Sequence, residues 1–399
     1  MEKSPWVPTE TWVPPRLERR GRCICGLFPR GEAIIFLKRG ARLMSRSCKT
    51  FRFLMVFSLL LCSVIFLVPA FADPLRIVKD QLGREVALPE KVERVVCLEH
   101  HALDIILELQ AGETLVGVLQ KWDKQLAGID RIYPRLKELS MPGDLQSVNM
   151  EELLKLDPDV VIITHYAPEE MWKPIEKAGI PVILLSFYVA DLEEASKLNP
   201  TLKDPDKAYT EGMKEAVLIL GDVLGRKDQA EALVSFIEEK RALVAQHLAA
   251  IPEDARVRCY MANPELHTYG TGKYTGVIMD RAGGRNVAAE IKGYQQVNME
   301  QILLWDPEVI FVQARYVGLL DEIANSSSWQ QTSAVRNGRV YLSPEYVKPW
   351  GHPCPESFAL GELWMAKKLY PQQFEDVDLA AMVEEFYQTF YGVPYQGEH

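Results

Sequence analysis

The sequence predicts an α/β protein of two Rossmann-like lobes with parallel-sheet cores, joined by a long linking helix. Three observations predict it. Short apolar, β-rich runs alternate with helical patterns in both halves, as expected of strands covered on both faces. Residues 206–250 between the halves carry helical periodicity and no strand pattern. And VNMEELLKLDPDVV (Val148–Val161) returns 149 residues later as VNMEQILLWDPEVI (Val297–Ile310), with 8 of 14 positions identical.

In the first half VERVVCLEH reads as a strand, ALDIILELQAG as a helix closed by Gly112, and TLVGV as a second strand. Asn149 is placed to cap MEELLKL, which should stop before Asp157-Pro158, because the residue before proline resists the helical conformation. DVVIIT, a helix around EEMWKPIEKAG, and PVILLSF follow. One helix is expected over about Asp206–Leu224 and a second over Asp228–Ala250. At ~1.5 Å per residue the second would be a strut roughly 33 Å long. The second half repeats the order: strand ARVRCYMA, helix TGVIMDRAGG, helix MEQILLW, strand EVIFVQ, strand RVYLS, and a helix over PESFALGELWMAKKLYP. The expected division is 73–205 for the first lobe, 206–251 for the linking helices and 252–399 for the second lobe.

The first 72 residues differ. They hold 12 Lys+Arg against 4 Asp+Glu, whereas 73–399 hold 33 against 51, a net −18. So acidic a body argues against nucleic acid, whose phosphates need clustered cations. Residues 1–43 read as a mis-assigned start or a disordered leader, Met44 making the better start. Residues 44–72 read as an export signal: Arg46, Lys49 and Arg52 precede the uncharged Phe53–Val68, and Ala70 and Ala72 suit cleavage after Ala72. The alternative is an uncleaved anchor, since 53–72 are just long enough to span a bilayer. Three cysteines then remain, Cys97, Cys259 and Cys354, each read as a buried thiol with no metal-knuckle spacing.

IVKDQLGREVALPEKVERVV (Ile77–Val96), then a helix, LVGV, NMEELLKLDPDVVI and a helical spine resemble the periplasmic substrate-binding proteins of ABC importers for iron–siderophore, haem and cobalamin. The resemblance covers essentially all of 76–392. It implies a shallow cleft between the lobes, a rigid linking helix, little hinge closure, and an importer permease and its ATPase as partners of a monomeric receptor. It also implies that Glu151 and Glu300, one in each copy of the repeat, dock onto arginines of the permease. Helix capping alone accounts for the asparagines and tolerates the glutamates, but does not require either twice.

In open α/β sheets ligands gather beyond the carboxyl ends of strands. The residues expected there are His100 and His101, Trp122, His165 and Tyr166, Tyr188, His267 and Tyr269, Arg315 and Tyr316, Trp350 and His352. Imidazole suits Fe, Ni, Cu or Zn, so His100, His101, His165 and His267 are the candidate metal ligands. Adjacent histidines at a strand end should point to opposite sides, which would leave one of His100 and His101 facing the cleft. Arginine and tyrosine suit an anionic chelate, and aromatic rings supply its apolar walls.

The leading expectation is a periplasmic receptor for a metal chelate, most of all a ferric siderophore, with no intrinsic cofactor and no catalysis. Corrinoid, haem, a nickel chelate or a molybdate-like oxyanion is the alternative within the same fold. An exported metal-dependent enzyme of chelatase-like fold is the alternative of another class, and an adhesion module a third. No GxSxG, HExxH, P-loop or βαβ-placed GxGxxG supports an enzyme. GTGKYTG (Gly270–Gly276) is glycine-rich without phosphate-loop spacing, and reads as a loop that turns tightly or approaches a ligand.

Overall fold

The computed structural model describes residues 74–397, apart from Ala127, Ser196, Leu198, Asn199 and Thr201. The expected leader and export signal lie outside the described residues. No helix among the described residues is long and apolar enough to cross a membrane.

The described chain is mixed α/β, with two parallel-sheet cores in two lobes. It opens with an antiparallel hairpin, β1 (Leu75–Lys79) and β2 (Glu85–Pro89). Five parallel strands form the first sheet: β3 (Val95–Cys97), β4 (Leu115–Leu119), β5 (Ser140–Gly143), β6 (Val160–Thr164) and β7 (Val182–Leu185). Their order is β5-β4-β3-β6-β7. Strands β3, β6 and β7 are buried at every residue, so their sequences are apolar runs rather than alternations. Three helices of this lobe matter below: α1 (His100–Glu108), α2 (Met150–Lys155) and α3 (Glu169–Lys177).

Two helices then link the lobes, α4 (Pro205–Val223) and α5 (Lys227–Leu248). Gly212 on α4 lies so close to the Tyr188 backbone that a Cβ there would approach within 2.2 Å of it. Glycine is therefore required for α4 to pack against the segment after β7.

The second lobe holds β8 (Arg258–Ala262), β9 (His267–Tyr269), β10 (Arg285–Asn286), β11 (Tyr294–Gln296), β12 (Val309–Val312) and β13 (Val340–Leu342). The parallel sheet runs β10-β8-β12-β13, and β9 pairs with β11 as a separate antiparallel hairpin. Its helices include α6 (Tyr274–Arg281), α7 (Met299–Trp305), α8 (Glu362–Leu369) and α9 (Leu379–Phe386). The segment after α9 returns to the first lobe: Gln110 donates to the Thr389 carbonyl at 2.9 Å, and the Tyr391 hydroxyl to Asp104 on α1 at 2.8 Å. Cys97, Cys259 and Cys354 are buried and free.

Candidate functional site

The carboxyl ends of β3, β6 and β7 in one lobe and of β12 and β13 in the other converge on a cluster of imidazoles and aromatic rings. Its first members come from the start of α1. Glu99 caps this helix, accepting the Ala102 amide at 2.6 Å through one carboxylate oxygen. The other oxygen accepts from His101 Nδ1 at 2.8 Å and lies 3.4 Å from His100 Nδ1. Burial would raise the Glu99 pKa, but the two imidazoles and the amide outweigh it and hold the carboxylate at about 2. Because a carboxylate only accepts, His101 Nδ1 carries the proton it donates to Glu99, and Nε2 has no partner among the described atoms.

The expected alternation of the two histidines does not occur. Strand β3 ends at Cys97, and His100 and His101 are the first turn of a helix. Their rings sit side by side, centroids 4.0 Å apart. Burial, then His101, pushes His100 down to about 3, so it is neutral at physiological pH.

His352 meets this pair from the second lobe. Its ring centroid is 5.8 Å from that of His101 and 5.9 Å from that of His165, and it stacks on Tyr188 at 5.9 Å. Both its nitrogens are buried without a partner among the described residues. Burial, with His101 and Lys273 adding to it, pushes its pKa well below the usual value. Trp350 roofs the group, 5.8 Å from His100 and 5.6 Å from His101. Arg315, after β12, reaches this roof: its guanidinium carbon is 5.6 Å from the Trp350 ring and 5.1 Å from the Tyr316 ring. Its Nε donates to Gln313 at 2.8 Å, and Gln313 in turn donates to Asn263 at 2.6 Å, so the arginine is held on a buried amide pair. A cavity of about 840 Å³ opens beside His352, with Tyr269, Tyr294, Lys273 and Gly351 in its wall. Burial lowers the Lys273 ammonium to about 8.

The other expected residues are placed differently. His165 is committed on both nitrogens, Nδ1 facing the Leu185 carbonyl at 3.1 Å and Nε2 the Lys197 carbonyl at 3.0 Å. It joins the cluster as a ring fixed against Tyr166 and Tyr188, not as a free metal ligand. His267 lies on the β9–β11 hairpin, stacked on Tyr294 at 5.1 Å, away from His100 and His101. Trp122 is a buried core residue. Of the four candidate metal ligands, only His100 and His101 fall in one group, with Glu99, whose ligand atoms all lie within 4.8 Å.

Sequence reasoning missed the buried seam between the lobes. The Lys348 ammonium contacts both Asp104 on α1 and Glu356. The Tyr391 hydroxyl bridges the same two carboxylates, 2.8 Å from each, and Tyr387 donates to Glu356 at 3.1 Å. Glu108 adds a third buried carboxyl. Burial, then Asp104, raises its pKa well above the usual range, so it keeps its proton. No short-range pattern marks this group, since its members lie up to 287 positions apart.

The periplasmic binding protein family model matches residues 95–347. The chain is 48% identical over 332 residues to the molybdate-binding protein MolA of Haemophilus influenzae, covering 83% of this chain and 94% of MolA. The structure of MolA bound to molybdate superposes with a TM-score of 0.78, covering 81% of this chain and 100% of that one. A periplasmic solute binding protein from Veillonella parvula superposes at 0.67 with 25% identity, covering 81% and 94%. The Fe(3+)-citrate-binding protein YfmC of Bacillus subtilis is 24% identical, covering 67% of this chain and 77% of its own.

Proposed function

This chain belongs to the periplasmic binding protein family, and from that premise we propose that it captures a tetrahedral oxyanion of the molybdate class in the cleft. It is a solute-binding protein of an ABC importer, not an enzyme. The observation that carries the oxyanion reading is the likeness to MolA, twice as high in identity as that to the ferric citrate binder.

The chemistry of the cleft agrees. A small dianion needs a few convergent donors and a cation, not a broad aromatic floor. Arg315 and Lys273 supply charge, and His100 and His352 supply ring nitrogens without hydrogen-bond partners among the described residues. The ferric siderophore, the leading expectation from sequence, is therefore replaced by the oxyanion alternative. Its bulk asks for an open platform, whereas the Trp350 and His352 rings each pack within 6 Å of the His101 ring here.

Titration calorimetry with molybdate, tungstate, sulfate, phosphate and ferric citrate tests the proposal. Binding of molybdate and tungstate in preference to the rest is expected. Selective uptake of the ferric chelate would refute it. Docking on a permease through Glu151 and Glu300 is part of the same reading. Both residues are exposed in the first turn of Asn-capped helices, Asn149 accepting the Glu151 and Glu152 amides and Asn298 that of Gln301. Export by a signal cleaved after Ala72 belongs to it as well.

A further inference from the structure

The docking helices carry more than acid. Leu153 and its counterpart Ile302 are buried and anchor α2 and α7 to their lobes. On the outward side, Leu154 is 50% exposed and lies three residues after Glu151; Leu304 is 78% exposed and lies four residues after Glu300. Spacings of three and four put side chains on one face of a helix, so each glutamate has an exposed leucine one turn behind it. Met141, 41% exposed, lies on β5, whose Pro142 carbonyl accepts the Asn149 amide at the start of α2. Leu304 is the most exposed of the large hydrophobic side chains among the described residues.

A single exposed apolar residue calls for no account. Two of them, one on each copy of the repeat and each one turn from a first-turn glutamate, with Met141 on the strand next to the first, are a different matter. We propose that Leu154, Met141 and Leu304 form the apolar half of the contact with the importer's permease, Glu151 and Glu300 forming the charged half. The inference rests on the docking reading above and commits to that partner, because the acidic and apolar residues recur as a pair on both lobes. A two-lobed receptor meeting a two-fold permease would present such a pair twice. Charged pairs set the orientation of such a contact, while burial of exposed apolar side chains adds to its affinity. The two patches are unequal. Lys155 neutralises Glu151 at 2.7 Å, and the position equivalent to Lys155 in the second copy is Leu304 itself. The second lobe therefore offers the more apolar contact, and Leu304 should be the stronger anchor.

The test uses the exported protein and its cognate permease–ATPase complex in nanodiscs, with and without sodium molybdate. Leu154→Ser, Leu304→Ser, their double variant, Glu151→Lys with Glu300→Lys, and Leu75→Ser as an exposed control are titrated for binding and for ATPase stimulation. Each leucine variant is expected to weaken permease binding, Leu304→Ser by roughly tenfold and Leu154→Ser by less. Molybdate affinity and thermal stability should stay unchanged, and Leu75→Ser should behave as wild type. A double leucine variant that binds as wild type does, while the glutamate variant fails, would overturn the inference and leave the docking reading standing. Wild-type binding by both would overturn both. Binding of the leucines to empty nanodiscs as strong as to loaded ones would assign them to lipid and overturn the inference too.

Discussion

The two copies of the repeat, 148–166 and 297–315, agree at one end and part at the other. Both begin with an asparagine cap and a glutamate, bury Leu153 or Ile302, and turn through a left-handed aspartate before proline, Asp157 at φ 44° and Asp306 at φ 41°. Both then launch a fully buried central strand, β6 or β12. Beyond the strand the likeness stops: His165-Tyr166 stands where the second copy has Ala314-Arg315. A receptor that meets a two-fold partner with one end and an asymmetric ligand site with the other would hold the first and vary the second.

The largest effect should come from breaking the shared end. On the proposed docking, Glu151→Lys together with Glu300→Lys would set like charges against the permease, which costs several kcal/mol. Uptake in cells should fall to background while calorimetric molybdate affinity is retained. Loss of ligand binding in that variant would place the glutamates in the cleft instead.

The seam between the lobes comes next. Lys348→Met leaves Asp104 and Glu356 buried without their cation. Breaking a buried pair in this way costs about 3–5 kcal/mol. Urea unfolding should report that loss, and a change under 1 kcal/mol by the same measure would mean that the lobes are held by packing alone.

The divergent end is sharpened by comparing Arg315→Ala with Tyr166→Phe. Arg315 is the cation that the second copy brings to the cleft, so its removal should weaken molybdate binding by roughly 10–100-fold. Tyr166→Phe removes one neutral hydroxyl from the first copy and should cost less than about tenfold. Equal losses would mean that the two copies contribute alike, against the asymmetry proposed here.

Much of this was legible in the chain. The alternating strands and helices, the helical link and both Asn caps follow from periodicity and capping, which act over a few residues. The hairpins β1–β2 and β9–β11 and the short β5 did not stand out, because strands of three to five residues leave little periodic pattern. The cleft was legible as a set of loops but not as a geometry. His100 and His101 were misjudged because Glu99 caps a helix, so the helix starts two residues before the apolar ALDIIL run. Lys273 was visible only as the lysine within GTGKYTG, and the Asp104–Lys348–Glu356 seam not at all, since tertiary contact alone unites it.

The smallest predicted effect probes the ligand end through pH. Burial keeps the His352 imidazole neutral in the folded protein, whereas in the unfolded chain it would titrate near pH ~6.5. A depressed folded pKa means that the unfolded chain binds the extra proton, so the histidine costs nothing by ionisation above ~6.5 and stability is lost as pH falls from there toward the folded value. Other groups pull the opposite way. Burial, only partly offset by nearby arginines, leaves Asp280 and Glu362 raised to about 6. Only the difference between wild type and His352→Gln isolates the histidine. The thermal midpoint of wild type relative to that of the variant should be highest at about pH 8 and fall by about pH 5. A gap that stays constant across that range would mean that His352 is solvated enough to charge, and would remove it from the dry part of the site.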